Sequence, residues 1–332
     1  MPLRYREMQA QDVSRCVQIV AENSILKPRY GPAISQLEGC WLRLLETQAF
    51  TAVVFEDCGA SGKRLIGAGI SVFLSDAFVR EMKTPPLTWV GPEIVRRISA
   101  GNSPVLSDRQ VAESNTRGGL NLFGWHGATS VEDGNRVEVL NTFFGSFIEL
   151  HRGFFIKEVL GQADSVAMVG AMSNSGGGYF DPGLHRYVQS IPCSSEEVIS
   201  RPHLMGQTRE LAVAGAWLSG SSLFSWQPPQ FGFRRSEQRL LMTALQGGTD
   251  EDLSNELNIS LSSIRRTWLA IYQRVIEREP ELLGESSQSG GMLPARGKGK
   301  KHRLLAYLRE HPEELRPISR KLLAKSASVE SY

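Results

Sequence analysis

The chain has 332 residues, enough for about two domains, and its 41% apolar content can fill a core. A net charge of +2 announces neither a nucleic-acid nor a membrane partner through bulk electrostatics. No apolar run is long enough to span a bilayer, the start "MPLRYREMQA" lacks the apolar segment of a secretion signal, and Cys16, Cys40, Cys58 and Cys193 are scattered without a CxxC pair. The expectation is a cytoplasmic protein with no disulfide framework, zinc site or cofactor.

Taken in chain order, residues 1–225 read as an α/β (α+β) domain. "LRYREMQAQDVSRCVQIVAEN" gives a short strand and then an amphipathic helix through Val13, Cys16, Val17, Ile19 and Val20. "FTAVVFEDCGASGKRLIGAGISVFLS" gives two strands, at 51–55 and 65–74, around a Gly/Ser-rich turn. The three prolines of "TPPLTWVGPEIV" break regular structure there. "GLNLFGWHGATS" reads as a strand. "VEVLNTFFGSFIELHRGFFIKEVL" reads as helical, with Leu140, Phe143, Phe144, Phe147, Ile148 and His151 at helical spacing. "SNSGGGYFDPG" is a loop by composition. "SSLFSWQPPQFGF", 221–233, mixes aromatic, proline and glycine residues as a linker, and the domain boundary falls within it.

Three helical segments follow. "SEQRLLMTALQGG" carries an apolar stripe of Leu240, Leu241, Ala244 and Leu245, with Gly247-Gly248 to end it. The second opens on Thr249, with Asp252 three residues on as in a capping box, and three acids suit the positive end of its dipole. "NIS" makes a turn, and Ser260 is placed to cap the third helix. Ile264, Trp268, Ile271 and Val275 recur at spacings of four, three and four, so one face is buried. Ser262, Arg265, Arg266, Leu269 and Gln273 are left outward.

Such a pair of helices suits DNA. The first braces against the backbone, and the second enters the major groove with its N-terminal half. Hydroxyls and free N–H groups at that end favour phosphate. An arginine there can meet guanine O6 and N7 together, worth about 1–3 kcal/mol of discrimination.

Residues 233–275 resemble the LuxR-type (GerE-like) helix-turn-helix. The matching positions are Glu237, Leu240-Leu241, Gly247, Thr249, Leu253-Ser254, Leu257, Ile259-Ser260, Ser263-Ile264, Ile271 and Arg274-Val275. The sequence departs at Arg235, Ser254 and Thr267, where the family usually has Pro, Ala and His. The resemblance implies base contacts from Arg265, Arg266 and Leu269; Ser260, Ser262 and Ser263 are short enough to reach phosphates, and Thr249 completes the candidate DNA-binding set. The resemblance also implies double-stranded DNA as partner, a homodimer and a two-fold related operator.

Residues 233–279 hold seven Arg and seven acids, hence no net charge. From residue 281 onward ten Lys/Arg face six Asp/Glu, most of the excess in "ARGKGKKHR". That run reads either as a solvated linker or as extra phosphate contact. Residues 226–283 are therefore taken as an all-α helix-turn-helix domain, and 284–332 as a basic linker with a last helix, "RLLAYLREH".

The strand–helix–strand–strand order at the start, with "RLIGAGISVFL", resembles the GNAT acyltransferases. These hold the pyrophosphate of acyl-coenzyme A with a Gln/Arg-x-x-Gly-x-Gly/Ala loop at a helix start. "RGGLNLFG" begins with Arg117 but has other glycine spacing and leads into a strand. "GASGKR" lacks the spacing of a Walker A loop and reads as a hairpin tip. His126 and His151 stand apart from any metal-ligand pattern. The chain thus reads as a DNA-binding regulator and not an enzyme, with a front domain that dimerises or binds a small-molecule signal. The alternative is an acyltransferase with a helical interaction module.

Overall fold

The computed structural model describes residues 3–59, 62–130, 137–214, 219–284, 297–319 and 321–322. It divides into two compact units, Met1–Ser225 and Trp226–Tyr332.

The first unit is a mixed α/β structure. Its elements run β1 (Leu3–Glu7), α1 (Ala10–Glu22), α2 (Leu26–Tyr30), α3 (Leu37–Leu44), β2 (Phe50–Gly59), β3 (Gly62–Leu74), α4 (Asp76–Met82), α5 (Val90–Ser99) and α6 (Asp108–Thr116). Then come β4 (Leu120–Thr129), α7 (Val137–His151), β5 (Ile156–Gly161), α8 (Val166–Asn174), β6 (Gly178–Asp181), β7 (Arg186–Val188), α9 (Ser195–Ser200), β8 (Met205–Thr208) and α10 (Arg209–Ala214). The eight strands form one sheet in the order β1-β2-β3-β4-β5-β8-β6-β7. Every pairing is antiparallel except β4 with β5, which is parallel.

Both faces of the central strands are covered, which is why they read as near-continuous apolar runs. On β2, Phe50, Ala52 and Val54 join the main core with α1, α3 and α5. The alternate residues Val53 and Phe55 pack with Ile66 and Val139 of α7 on the opposite face. Period-two alternation sends neighbours to opposite faces, so one strand serves two cores.

Three segments differ from the sequence reading. The helical pattern after 137 stops at His151, Gly153 takes φ +82, and Ile156–Gly161 is strand β5. The left-handed glycine breaks the helix, and pairing with β4 and β8 captures the apolar residues beyond it. Within "SNSGGGYFDPG", Gly178–Asp181 is strand β6, held by β7 and β8. Within "TPPLTWVGPEIV", α5 starts at Val90 and admits Pro92 in its first turn, where a backbone N–H is not needed.

The second unit is largely helical: α11 (Arg235–Leu245), α12 (Asp250–Leu257), α13 (Leu261–Arg278) and α14 (Gly297–Glu310). Leu240, Leu241, Leu253, Ile264, Trp268, Ile271 and Val275 share one core with Leu304, Leu308 and Leu315. The last helix is therefore a structural part of this unit and not a separate tail. Its leucines at 304 and 308 are one helical turn apart and form the buried stripe. Residues 285–296, most of the glycine- and serine-rich run before it, lie outside the described residues. The segment read as a linker at 221–233 anchors at both ends. Leu223 and Phe224 are buried in the first unit, and Phe231 and Phe233 in the second.

Candidate nucleic-acid interface and an apolar cavity

In the second unit, local chemistry sets each helix end. Thr249 caps α12. Its hydroxyl accepts from the Asp252 amide at 3.2 Å, and its own amide donates to Asp252 Oδ2 at 2.7 Å. The Thr249 amide and the Thr249 hydroxyl, 2.9 Å from Oδ2, hold the Asp252 carboxyl below its ordinary pKa. Asn258 ends α12 in the left-handed region, at φ +53, and the Ser254 hydroxyl donates to the Ile259 carbonyl at 2.6 Å. Ser254 thus locks the turn of residues 258–260. An alanine there, usual in the resembled family, has no such donor.

Ser260 caps α13, accepting from the Ser263 amide at 3.2 Å. Its oxygen lies 2.9 Å from both the Ser262 and the Ser263 hydroxyls. Three hydroxyls therefore cluster at the N-terminus of an eighteen-residue helix, the positive end of its dipole.

The faces of α13 separate as its spacing implies. Ile264, Trp268, Ile271 and Val275 are buried, while Ser262, Arg265, Arg266 and Leu269 are exposed. Leu269 is 68% exposed. Among the described residues, neither Arg265 nor Arg266 has a hydrogen-bond or ion-pair partner. Arg274, by contrast, is used internally: its Nη2 lies 3.2 Å from Glu237 Oε1 and ties α13 to α11. Glu237 also accepts from the Arg234 amide at 2.6 Å, so it caps α11 and holds α13 at once. Trp268 is 5% exposed and stacks on Tyr272, a core role.

The basic run near the C-terminus is partly spent inside the unit. Lys301 Nζ lies 3.0 Å from Asp250 Oδ1 and 5.1 Å from the centre of the Trp268 ring. Its charge is thereby partly balanced within the unit.

The first unit contains a cavity of about 130 Å³ that sequence reasoning did not find. It lies where β4 and β5 part. Their parallel pairing ends at Gly124 with Gly161, while β4 continues to Thr129. Gly124 leaves room for it, Met168 and Phe143 close over Gly127, and aromatic side chains wall it, Trp89, Phe143, Phe147 and Phe224 among them. Its polar groups come from distant parts of the chain. Trp125 Nε1 donates to the Tyr30 hydroxyl at 2.7 Å, and that hydroxyl lies 2.5 Å from His126 Nε2. Burial, with Arg29 nearby, pushes the His126 pKa down to about 3, so the ring is neutral. Arg29 stacks on Trp89 at 3.8 Å, and its Nη2 donates to the carbonyls of Ala163 and Ile199. Burial lowers the Arg29 pKa to about 10 and raises that of Asp164 beside it to about 6.

His151, the other lone histidine of the sequence, is satisfied within the core. Its Nδ1 meets the Phe147 carbonyl at 2.7 Å, and its Nε2 meets the Ser71 hydroxyl at 2.8 Å. Among the described residues no group of His, Cys, Asp and Glu could hold a metal ion, and no helix is long and apolar enough to cross a membrane.

Comparison with protein-family models, with curated proteins and with solved structures returns no match.

Proposed function

We propose that the chain is a sequence-specific DNA-binding transcription regulator whose α13 enters the major groove. The observation that carries this reading is the outer face of α13. Arg265 and Arg266 stand exposed in its N-terminal half, without partners among the described residues, next to the hydroxyl cluster of Ser260, Ser262 and Ser263. Exposed arginines one turn inside a capped helix start fit guanine edges and flanking phosphates. Thr249 begins the preceding helix and suits a backbone contact. Leu269, one turn further on, suits a thymine methyl rather than a hydrogen bond. The resemblance to LuxR-type helices supports a dimer on a two-fold related site. The first unit then serves to sense a small molecule or to dimerise.

A second reading, acyl transfer from acyl-coenzyme A, is favoured by the cavity at the end of the β4–β5 pairing. Among the described residues it lacks a phosphate-binding loop. Arg117 follows the C-terminus of α6 and leads into β4, so no helix N-terminus faces a pyrophosphate there.

Two assays on the intact chain separate the readings. The first predicts binding to fragmented genomic DNA, read by fluorescence anisotropy, that weakens steeply between about 50 and 200 mM salt. The second predicts release of free thiol from acetyl-coenzyme A with an amine acceptor. Thiol release without DNA binding would overturn the first reading.

A further inference from the structure

The cavity of the first unit holds a polar device that DNA reading does not use. Trp125, Tyr30 and His126 form a chain of hydrogen bonds, and one placement of the protons gives every group in it a partner. An indole N–H can only donate, so the Tyr30 oxygen accepts from Trp125 Nε1 at 2.7 Å. The Tyr30 proton is then free to go to His126 Nε2, 2.5 Å away. In that placement Nε2 is the acceptor of a neutral imidazole and the ring proton sits on Nδ1. His126 lines the cavity, and among the described residues no hydrogen-bond partner meets its Nδ1.

We propose that this cavity binds an uncharged, flat, mainly apolar small molecule bearing a carbonyl group, whose oxygen accepts from His126 Nδ1–H. The walls select the ring: Trp89, Phe143, Phe147 and Phe224 offer stacked and edge contacts to an aromatic ligand. The size agrees, since an apolar cavity of about 150 Å³ admits a benzene-sized molecule. The space is open at the strand itself, where a Cβ built on Gly124 would meet nothing nearer than 3.9 Å. The charge balance favours a neutral guest. Arg29 gives its Nη2 to two carbonyls and its face to a tryptophan, while its Nε is buried without a partner; with Asp164 beside it the wall carries both signs of charge, so a ligand anion gains one and meets its opposite. Tyr30 and Trp125 fix the imidazole in place, so the donor is held ready before the ligand arrives.

The test titrates the full chain with three probes of one shape, followed by tryptophan fluorescence and calorimetry. Acetophenone carries the carbonyl, ethylbenzene lacks it, and benzoate carries a charge. Acetophenone should bind about five- to tenfold more tightly than ethylbenzene, the usual worth of one hydrogen bond, and benzoate should bind weakest. In His126→Phe the ratio of acetophenone to ethylbenzene should fall to about one. Gly124→Leu, which fills the space, should abolish both. Equal affinity of the wild-type chain for acetophenone and ethylbenzene, tighter binding of benzoate, or no binding of either neutral probe would overturn the proposal. The wild-type comparison stands even where a variant does not fold, and no arm of it depends on DNA.

Discussion

Lys301 on α14 and Asp250 in the first turn of α12 form an ion pair at 3.0 Å, with the lysine also lying over Trp268 of α13. One side chain thus fastens the last helix to both helices of the proposed DNA-reading pair. The pair is partly exposed, so Lys301→Ala should cost only about 0.5–1 kcal/mol in urea unfolding.

The apolar contacts of α14 weigh far more. Leu304, Leu305 and Leu308 of α14, with Leu315 just beyond it, are buried in one core with residues of α11 and α13. At about 1.5–3 kcal/mol for each, their removal competes with the whole stability of a small domain. Truncation before residue 294 should therefore abolish the cooperative unfolding of the second unit. Its circular dichroism melt checks this, and a retained transition would show that α11–α13 fold alone. Loss of DNA binding in such a truncation would report unfolding, not lost phosphate contacts.

Neighbouring positions on α13 should behave in opposite ways. Trp268→Ala empties a core site and should destabilise the unit by about 3–5 kcal/mol. Leu269→Gln, at a residue 68% exposed, should leave stability within about 0.5 kcal/mol and change only base preference. Urea unfolding of both variants, with binding to one selected site, separates the two roles.

The periodicity that places these two residues was legible in the sequence, as were the caps at Thr249 and Ser260. Such signals act over three or four residues. What failed to show was long-range. "RGFFIKEVL" keeps apolar residues beyond His151, and only pairing with β4 and β8 makes them a strand. β6 hides among glycines because its partners are β7 and β8. The Tyr30–His126 bond joins residues 96 apart in sequence, and no local pattern announces it. The basic run reads as solvated linker or phosphate contact, and charge counting does not show the pairing of Lys301 with Asp250, which lies far back in the chain.

Glu314 should make the second unit sensitive to pH. Its carboxylate accepts from the amides of Gln230 and Phe231, yet burial dominates and pushes its pKa up to about 7, with Glu313 adding and His311 opposing. A raised carboxyl pKa means that the folded state holds a proton the unfolded state has released. Its stabilising contribution is complete below the ordinary carboxylate pKa and is lost as pH rises through about 7. The unit should be more stable at about pH 5 than at about pH 8, and Glu314→Gln should flatten that slope. Urea unfolding at the two pH values checks it.

A methyl group at Gly91 should disturb the cavity network. A Cβ there would stand 2.5 Å from the Tyr30 hydroxyl and 2.8 Å from Trp125 Nε1. Gly91→Ala should cost about 1–3 kcal/mol, whereas Gly124→Ala, with open space before it, should be nearly neutral. Thermal melts of the two variants compare them directly.

Arg265 and Arg266 carry the proposed base contacts, and one measurement addresses them most directly. Bound fragments are selected from sheared genomic DNA with the intact chain and with the Arg265→Ala/Arg266→Ala double variant, whose folding is verified by its melt. The account predicts a shared motif with the wild-type chain, repeated with two-fold symmetry, that disappears in the double variant. No enriched motif, or the same motif from the double variant, would contradict it.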